Sequence, residues 1–361
     1  MLKSVKVLDL SRVLAGPLAT MMLGDLGAQV IKVERPGSGD DTRGWGPPFD
    51  DRGESAYYLS VNRNKKSIVL DLDASADVAV ITDLATRADV VVDNFRPGTL
   101  ERRGIDPDLI VEVNPRLIWC TITGFGEESA RAGYDLVVQA ESGWMSITGD
   151  SAGDPTKVGI ALADVIAGKD AAIAILAALA ARDSLSPDER RIHISLAASA
   201  TAALINVAQN ALVTGSEARR WGNQHPNLVP YQLFHAADRP MVVAVGNDSQ
   251  WKACARALEL VDLAEDESVA TNAGRLRQRD RVVGAVSDKL RERPAAEWIA
   301  VLDRAAVPCG SVRSVLEALS DVSASPVTGI APSVPGSVRL PPPRLDEHGE
   351  EIRSLGWGSF D

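Results

Sequence analysis

Short β-branched runs alternate with segments of helical periodicity through the first half of the chain, and this alternation constrains the fold more than any other feature. Residues 5–10 (Val-Lys-Val-Leu-Asp-Leu) read as a buried strand, residues 17–27 as a helix with a proline in its first turn, and residues 29–34 (Gln-Val-Ile-Lys-Val-Glu) as the next strand. Further strands are expected over 67–72, 89–95 and 117–123, with a helix over 77–88. Repeated strand–helix–strand units cover both faces of a mainly parallel sheet. The expected fold class is therefore α/β, with a Rossmann-like large domain whose ligands lie at the carboxyl ends of the strands.

Downstream, helices are expected over 135–142, 165–181 and 196–212, with a strand at 191–195. A polar, turn-rich stretch then precedes a strand at 241–245 and amphipathic helices at 250–258, 274–291 and 295–305, which make a smaller α/β domain. At 361 residues the chain exceeds what one core usually sustains, about 250–300 residues. The expected division is a large domain over 1–213, a linker over 214–227, a small domain over 228–317, and a return segment over 318–361 that completes the large domain. Six prolines between Ser325 and Pro343 suit an extended return path.

Composition excludes several function classes. The net charge of −11 argues against nucleic-acid and anionic-membrane partners, although local basic loops can still hold phosphate. Cys120, Cys254 and Cys309 fit neither a disulfide framework nor a zinc spacing, so a reducing cytoplasm is expected. His193, His225, His235 and His348 show no metal-ligand spacing, and no metal is expected. The apolar stretch 158–181 is interrupted by Asp164, Lys169 and Asp170, which argues against a membrane span. The first strand-to-helix turn, Asp9-Leu-Ser-Arg-Val-Leu-Ala-Gly-Pro17, lacks G-x-G-x-x-G, so the nicotinamide fingerprint is absent.

Asp164 is the residue that most needs explaining, because it interrupts the apolar run Val158-Gly-Ile-Ala-Leu-Ala-Asp164 just before a strongly helical segment. One reading is an N-cap that accepts backbone N–H bonds from the helix it starts. The other is a catalytic carboxylate held ionised by that helix terminus. Both stay open on local pattern. Around it, the loops at 35–43, 62–67, 94–98 and 100–104 carry Arg or Lys beside turn residues at successive strand ends, where a multiply phosphorylated ligand would need them.

Taken in order, these segments resemble the class III (CaiB/BaiF-like) CoA-transferase family, which includes formyl-CoA and carnitine CoA-transferases and the related alpha-methylacyl-CoA racemases. The matching segments include Val7 to Pro17, Leu26 to Pro36, Gly39-Asp-Asp-Thr-Arg43, Asn62 to Ser67, Val92 to Gly98, Gly133-Tyr-Asp135, Leu162-Ala-Asp164, Gly222-Asn-Gln-His-Pro-Asn227 and Val307-Pro-Cys-Gly310. The resemblance implies CoA transfer between carboxylic acids, with Asp164 as the nucleophile that carries aspartyl anhydride and aspartyl-CoA thioester intermediates. It implies that Arg35, Leu70, Asn94, Phe95, Arg102 and Tyr134 contact CoA, which is substrate rather than cofactor. It also implies an interlocked homodimer.

The chain departs from the family pattern in places. Leu14 stands where some members have glutamine, and the glycine-rich loop of formyl-CoA transferases is not evident, which argues against oxalate or formate as substrates. Racemases of the family place a histidine where this chain has Tyr134. A phenol with a pKa near ~10 is a poor general base at neutral pH, so transfer is favoured over racemisation. A non-catalytic CoA-binding protein is the alternative from another class. His225, before a proline in a polar stretch, reads as a loop residue rather than a catalytic one.

Overall fold

The computed structural model describes residues 1–361. By internal packing the chain groups into two compact units, Met1–Met145 with Lys157–Ser216 and Val322–Asp361, and Ser146–Thr156 with Glu217–Asp321. The stretch Ser146–Thr156 thus packs with the second unit, whereas the sequence boundaries put it inside 1–213.

In the first unit the elements run β1 (Lys6–Asp9), α1 (Ala15–Asp25), β2 (Gln29–Glu34), α2 (Ala56–Leu59), β3 (Lys66–Val69), α3 (Ser75–Thr86), β4 (Val90–Asp93), α4 (Pro107–Val113), β5 (Ile118–Thr123) and α5 (Asp135–Glu141). After a short α6 (Trp144–Ile147), the chain continues through α7 (Leu162–Ala181), β6 (Arg191–Ser195), α8 (Leu196–Ala202) and α9 (Ile205–Thr214). Six strands form one sheet in the order β3-β2-β1-β4-β5-β6, parallel throughout, with Leu8 opposite Ile31 on one side and Val91 on the other.

Alternating side chains leave the sheet on opposite faces. Val7, Val30, Val90 and Cys120 pack under α1 and α7, while Leu8, Ile31, Val91 and Trp119 pack against the α3 and α4 side. The winding reverses between β1 and β4, so the loops that leave these two neighbours diverge and open a crevice at their carboxyl ends.

The second unit contains β7 (Tyr231–His235), β8 (Pro240–Ala244), α10 (Asp248–Ala257), α11 (Val261–Ala264), α12 (Asn272–Arg277), α13 (Arg279–Leu290), α14 (Ala295–Arg304), β9 (Cys309–Ser311) and α15 (Val315–Leu319). Its three strands pair antiparallel in the order β7-β8-β9. Trp251, Trp298 and Cys254 anchor its core. Arg275 is buried there, donating to the carbonyls of Val229 (2.6 Å) and Ala270 (2.9 Å) and pairing with Asp248 (2.9 Å).

The last forty residues return to the first unit through a small hairpin, β10 (Ala324–Ser325) with β11 (Gly329–Ile330), and end in α16 (Gly349–Leu355). Asn64 N donates to Leu340 O (2.9 Å), Val69 N to Asp346 Oδ1 (2.7 Å), and Trp357 Nε1 to Leu84 O (3.1 Å).

Two expected helices are broken. The 196–212 segment splits into α8 and α9, bent by 71°, with Ile205 in the left-handed region at φ 41°. Likewise the 274–291 segment is interrupted at Gln278, between α12 and α13. Strand β7 has no clear signal in the sequence, since Tyr-Gln-Leu-Phe-His is short and half polar; pairing Leu233 with Val242 of β8 makes it a strand. No single helix is long and apolar enough to cross a membrane.

Candidate active site

Asp164 occupies the third position of α7, and its surroundings follow from how α7 meets α1. At Gly168, one turn further on, a Cβ would come within 2.6 Å of the Ala15 carbonyl oxygen. Glycine there lets the starts of the two helices lie side by side.

Asp164 does not cap its helix, which corrects the first local reading. Ala161 holds the N-cap position without a side-chain bond, and the carboxylate that serves the helix start is Asp135. Asp135 Oδ1 accepts Ala163 N at 2.8 Å and Asp164 N at 3.3 Å, while Oδ2 accepts Gln139 Nε2 at 2.6 Å. With those donors spent on Asp135, nothing holds Asp164 ionised. Burial pushes its carboxyl up from an ordinary 3.8 to about 7, and the nearby Asp135 charge adds to the rise.

Asp164 faces a cavity of about 230 Å³ at the crevice between β1 and β4, lined also by Arg12, Val13, Leu14, Ala15, Asn94, Phe95 and Tyr134. The N–H groups of Leu14 and Ala15 meet no acceptor within the chain. They are the unspent donors of the α1 start, where anions are favoured. Asn94 fixes the turn before them, accepting Arg12 N (2.9 Å) and donating to Arg12 O (2.7 Å). Tyr134, 61% exposed, reaches the rim because Gly124 and Gly133 cross backbone to backbone, a Cβ on Gly124 falling 2.5 Å from the Gly133 Cα.

A second cavity of about 300 Å³ gathers Arg35, Leu70, Leu72, Phe95 and Arg103. Arg35 is held there by Ser38 Oγ (2.8 Å) and Asp41 Oδ1 (2.5 Å). Phe95 borders both cavities. Arg102, in contrast, lines neither: it is exposed and donates to Thr99 Oγ1 at 3.3 Å, while the neighbouring Arg103 faces the second cavity. His225 Nδ1 accepts Asn227 N at 3.0 Å, as a turn residue does.

Sequence reasoning missed Tyr57, Lys32 and Asp40, and assigned no role to Asp135. Burial pushes the Tyr57 phenol up to about 12, with the carboxylates of Asp164, Asp135 and Asp40 adding to the rise. It therefore stays protonated at neutral pH within reach of the Asp164 charge. Lys32 pairs with Asp40 at 3.0 Å, both side chains fully buried. A lysine inside an otherwise apolar strand was the signal for that pair.

Comparison with known proteins gives the family. Residues 2–330 match CoA-transferase family III. The chain is 40% identical, over 97% of its length and 85% of the relative's, to succinyl-CoA:glutarate CoA-transferase of Mus musculus. It is 39% identical, over 86% of its length and 80% of the relative's, to acetyl-CoA:oxalate CoA-transferase of Acetobacter aceti. A crystal structure of a CaiB/BaiF family protein from Brucella suis superposes with a TM-score of 0.86 at 35% identity, covering 98% of both chains. The protein belongs to CoA-transferase family III and is an enzyme that transfers CoA.

Proposed function

We propose that the protein moves CoA between carboxylic acids through covalent intermediates on Asp164. The observation that carries this is a carboxylate in a cavity at the strand ends that Leu14 and Ala15, with unspent backbone donors, also line. The Asp164 carboxylate attacks the thioester carbonyl, the C–S bond breaks, and CoA leaves as thiolate from a mixed anhydride. The thiolate then attacks the Asp164 carbonyl carbon, releasing the first acid as its carboxylate and leaving an aspartyl-CoA thioester. Attack by the second carboxylate and return of the thiolate run the same two steps backward and free Asp164. Each attack puts negative charge on a carbonyl oxygen, and the Leu14 and Ala15 N–H groups with the Tyr57 hydroxyl are the donors available to meet it.

In this reading CoA is substrate, not cofactor. Arg35, Leu70 and Phe95 hold its adenine end, Asn94 and Tyr134 border the acyl end, and Arg103 takes the phosphate role in place of Arg102. The acids are dicarboxylic, as in the names of the relatives. The missing glycine-rich loop loses its force against oxalate, because a relative at 39% identity is named for that acid.

The reading extends to an interlocked homodimer in the cytoplasm, with a large domain over 1–213 and 318–361 and a small domain over 228–317. Helix α9 supports a covering second copy: it buries none of its residues and leaves Ile205, Leu212 and Val213 about three-quarters exposed. A stable monomer by light scattering would remove the dimer. Incubation with a panel of acyl-CoA donors and acids, followed by mass detection of a CoA adduct, tests the chemistry; the adduct should fall on the peptide containing Asp164 and vanish in Asp164→Asn.

A further inference from the structure

Lys32 and Asp40 form an ion pair with both side chains fully buried; they border the second cavity and not the one that holds Asp164. Stability does not account for such a pair. Taking two charges out of water costs about as much as their attraction returns, and well-packed apolar replacements are often neutral or better. What the pair touches is more informative. Lys32 Nζ donates to Ser11 O at 2.9 Å, and Asp40 accepts Val13 N at 3.3 Å on each carboxylate oxygen. Asp40 is itself fixed by Thr42 N (3.0 Å) and Thr42 Oγ1 (2.8 Å).

Val13 sits at φ 72°, in the left-handed region, where a β-branched side chain is strained. No local preference of valine produces that conformation, so its surroundings must impose it. Three consecutive residues are gripped: Ser11 by Lys32, Arg12 by Asn94 and Val13 by Asp40. The next two residues, Leu14 and Ala15, keep their N–H groups unspent and line the same cavity as Asp164.

We propose that Lys32 and Asp40 are positioning residues for the transfer step, acting through Val13 to hold the Leu14–Ala15 donors where the carbonyl oxygens at Asp164 become charged. The inference rests on the Asp164 reading above. If Val13 relaxes to negative φ, the peptide that carries the Leu14 N–H turns with it and the donor is lost to the reaction.

The test is the charge-free double variant Lys32→Met/Asp40→Leu, with transfer kinetics measured alongside circular dichroism. It should keep the fold, while kcat falls on the order of 100-fold, as when an oxyanion donor is removed, and by more than any change in KM for acyl-CoA that the altered wall of the second cavity brings. Adding Val13→Gly should recover about fivefold or more, because glycine takes φ near 72° without steric cost. A folded double variant with unchanged kcat overturns the proposal, as does a loss that appears in KM alone or that Val13→Gly leaves untouched. If the double variant does not fold, Asp40→Asn decides, since it keeps one acceptor for Val13 N–H: a several-fold fall in kcat at constant KM supports the proposal and an unchanged kcat overturns it. Asp164→Asn, assayed in parallel, separates the two levels. If it is inactive while the double variant is fully active, the positioning role fails and the nucleophile stands; if it still transfers CoA, the Asp164 reading itself fails.

Discussion

Replacing Asp164 by Asn should make the protein more stable as it makes it inactive. In the folded chain burial and the neighbouring Asp135 raise the Asp164 carboxyl from 3.8 to about 7, so the fold resists its ionisation. A tenfold change in an acid's ionisation constant corresponds to about 1.4 kcal/mol, so the full rise would cost about 4 kcal/mol once the group is ionised. Asp164 is partly open to solvent in its cavity, and screening reduces the expected cost to about 2 kcal/mol. The sign is fixed by linkage: with the folded pKa above the unfolded one, the penalty is absent below pH 3.8, grows as pH rises through the window, and is complete above about pH 7. Asparagine keeps the shape without the charge, and the Asp135 bonds to the Ala163 and residue-164 backbone N–H groups remain. Urea denaturation of both proteins between pH 5 and pH 8 reads the gap directly. Asparagine should be ahead by about 2 kcal/mol at pH 8, after that screening, and by less at pH 5. A variant no more stable than the parent at pH 8, or a gap that does not widen with pH, would refute the account of this site.

The same carboxyl should control rate: single-turnover acylation should rise with pH to a plateau above about 7, and a rate flat from pH 5 to pH 8 would count against Asp164 as attacking group. If the Tyr57 hydroxyl serves the reaction at Asp164, Tyr57→Phe should lower kcat about 10- to 100-fold with little change in KM by steady-state kinetics, and an unchanged kcat removes it from the site. Gly168→Ala forces a Cβ to within 2.6 Å of Ala15 O; it should cost about 1–3 kcal/mol and lower kcat as α7 shifts from α1, read by denaturation and turnover together. In the second unit, Arg275→Met leaves the Val229 and Ala270 carbonyls without a buried donor, and should lower stability by about 1–3 kcal/mol while altering transfer far less than Asp164→Asn.

The parallel sheet was legible because burial on both faces demands near-continuous β-branched runs, as in Val90–Asp93 and Gln29–Glu34, and such runs are rare elsewhere in the chain. The bend between α8 and α9 was not legible, since Ala203, Leu204 and Ile205 carry no glycine or proline to announce a break. Asp164 could be singled out as a carboxylate in apolar surroundings. Its state could not: the acid that serves the helix start, Asp135, lies 29 residues earlier and arrives only through the crossing of Gly124 and Gly133. Lys32 carried a signal, as a charge between apolar neighbours in a strand, but its partner Asp40 looks like an ordinary loop charge until the fold closes over both. Arg102 and Arg103 are neighbours of one residue type, and sequence alone offered no ground for telling which of them lines the second cavity.

The docking of the last residues onto the first unit carries a consequence for biosynthesis. Trp357 reaches Leu84 and Glu351 reaches Lys66 across more than 270 positions of chain. During translation the entire second unit is made before these partners leave the ribosome, so β3 and α3 must wait uncovered while other parts of the polypeptide collapse. Contacts of such long sequence separation slow folding and lengthen the interval in which apolar surface is open to aggregation. A short truncation at the carboxyl terminus would therefore be felt first in soluble yield from the cell, ahead of any change in the chemistry at Asp164.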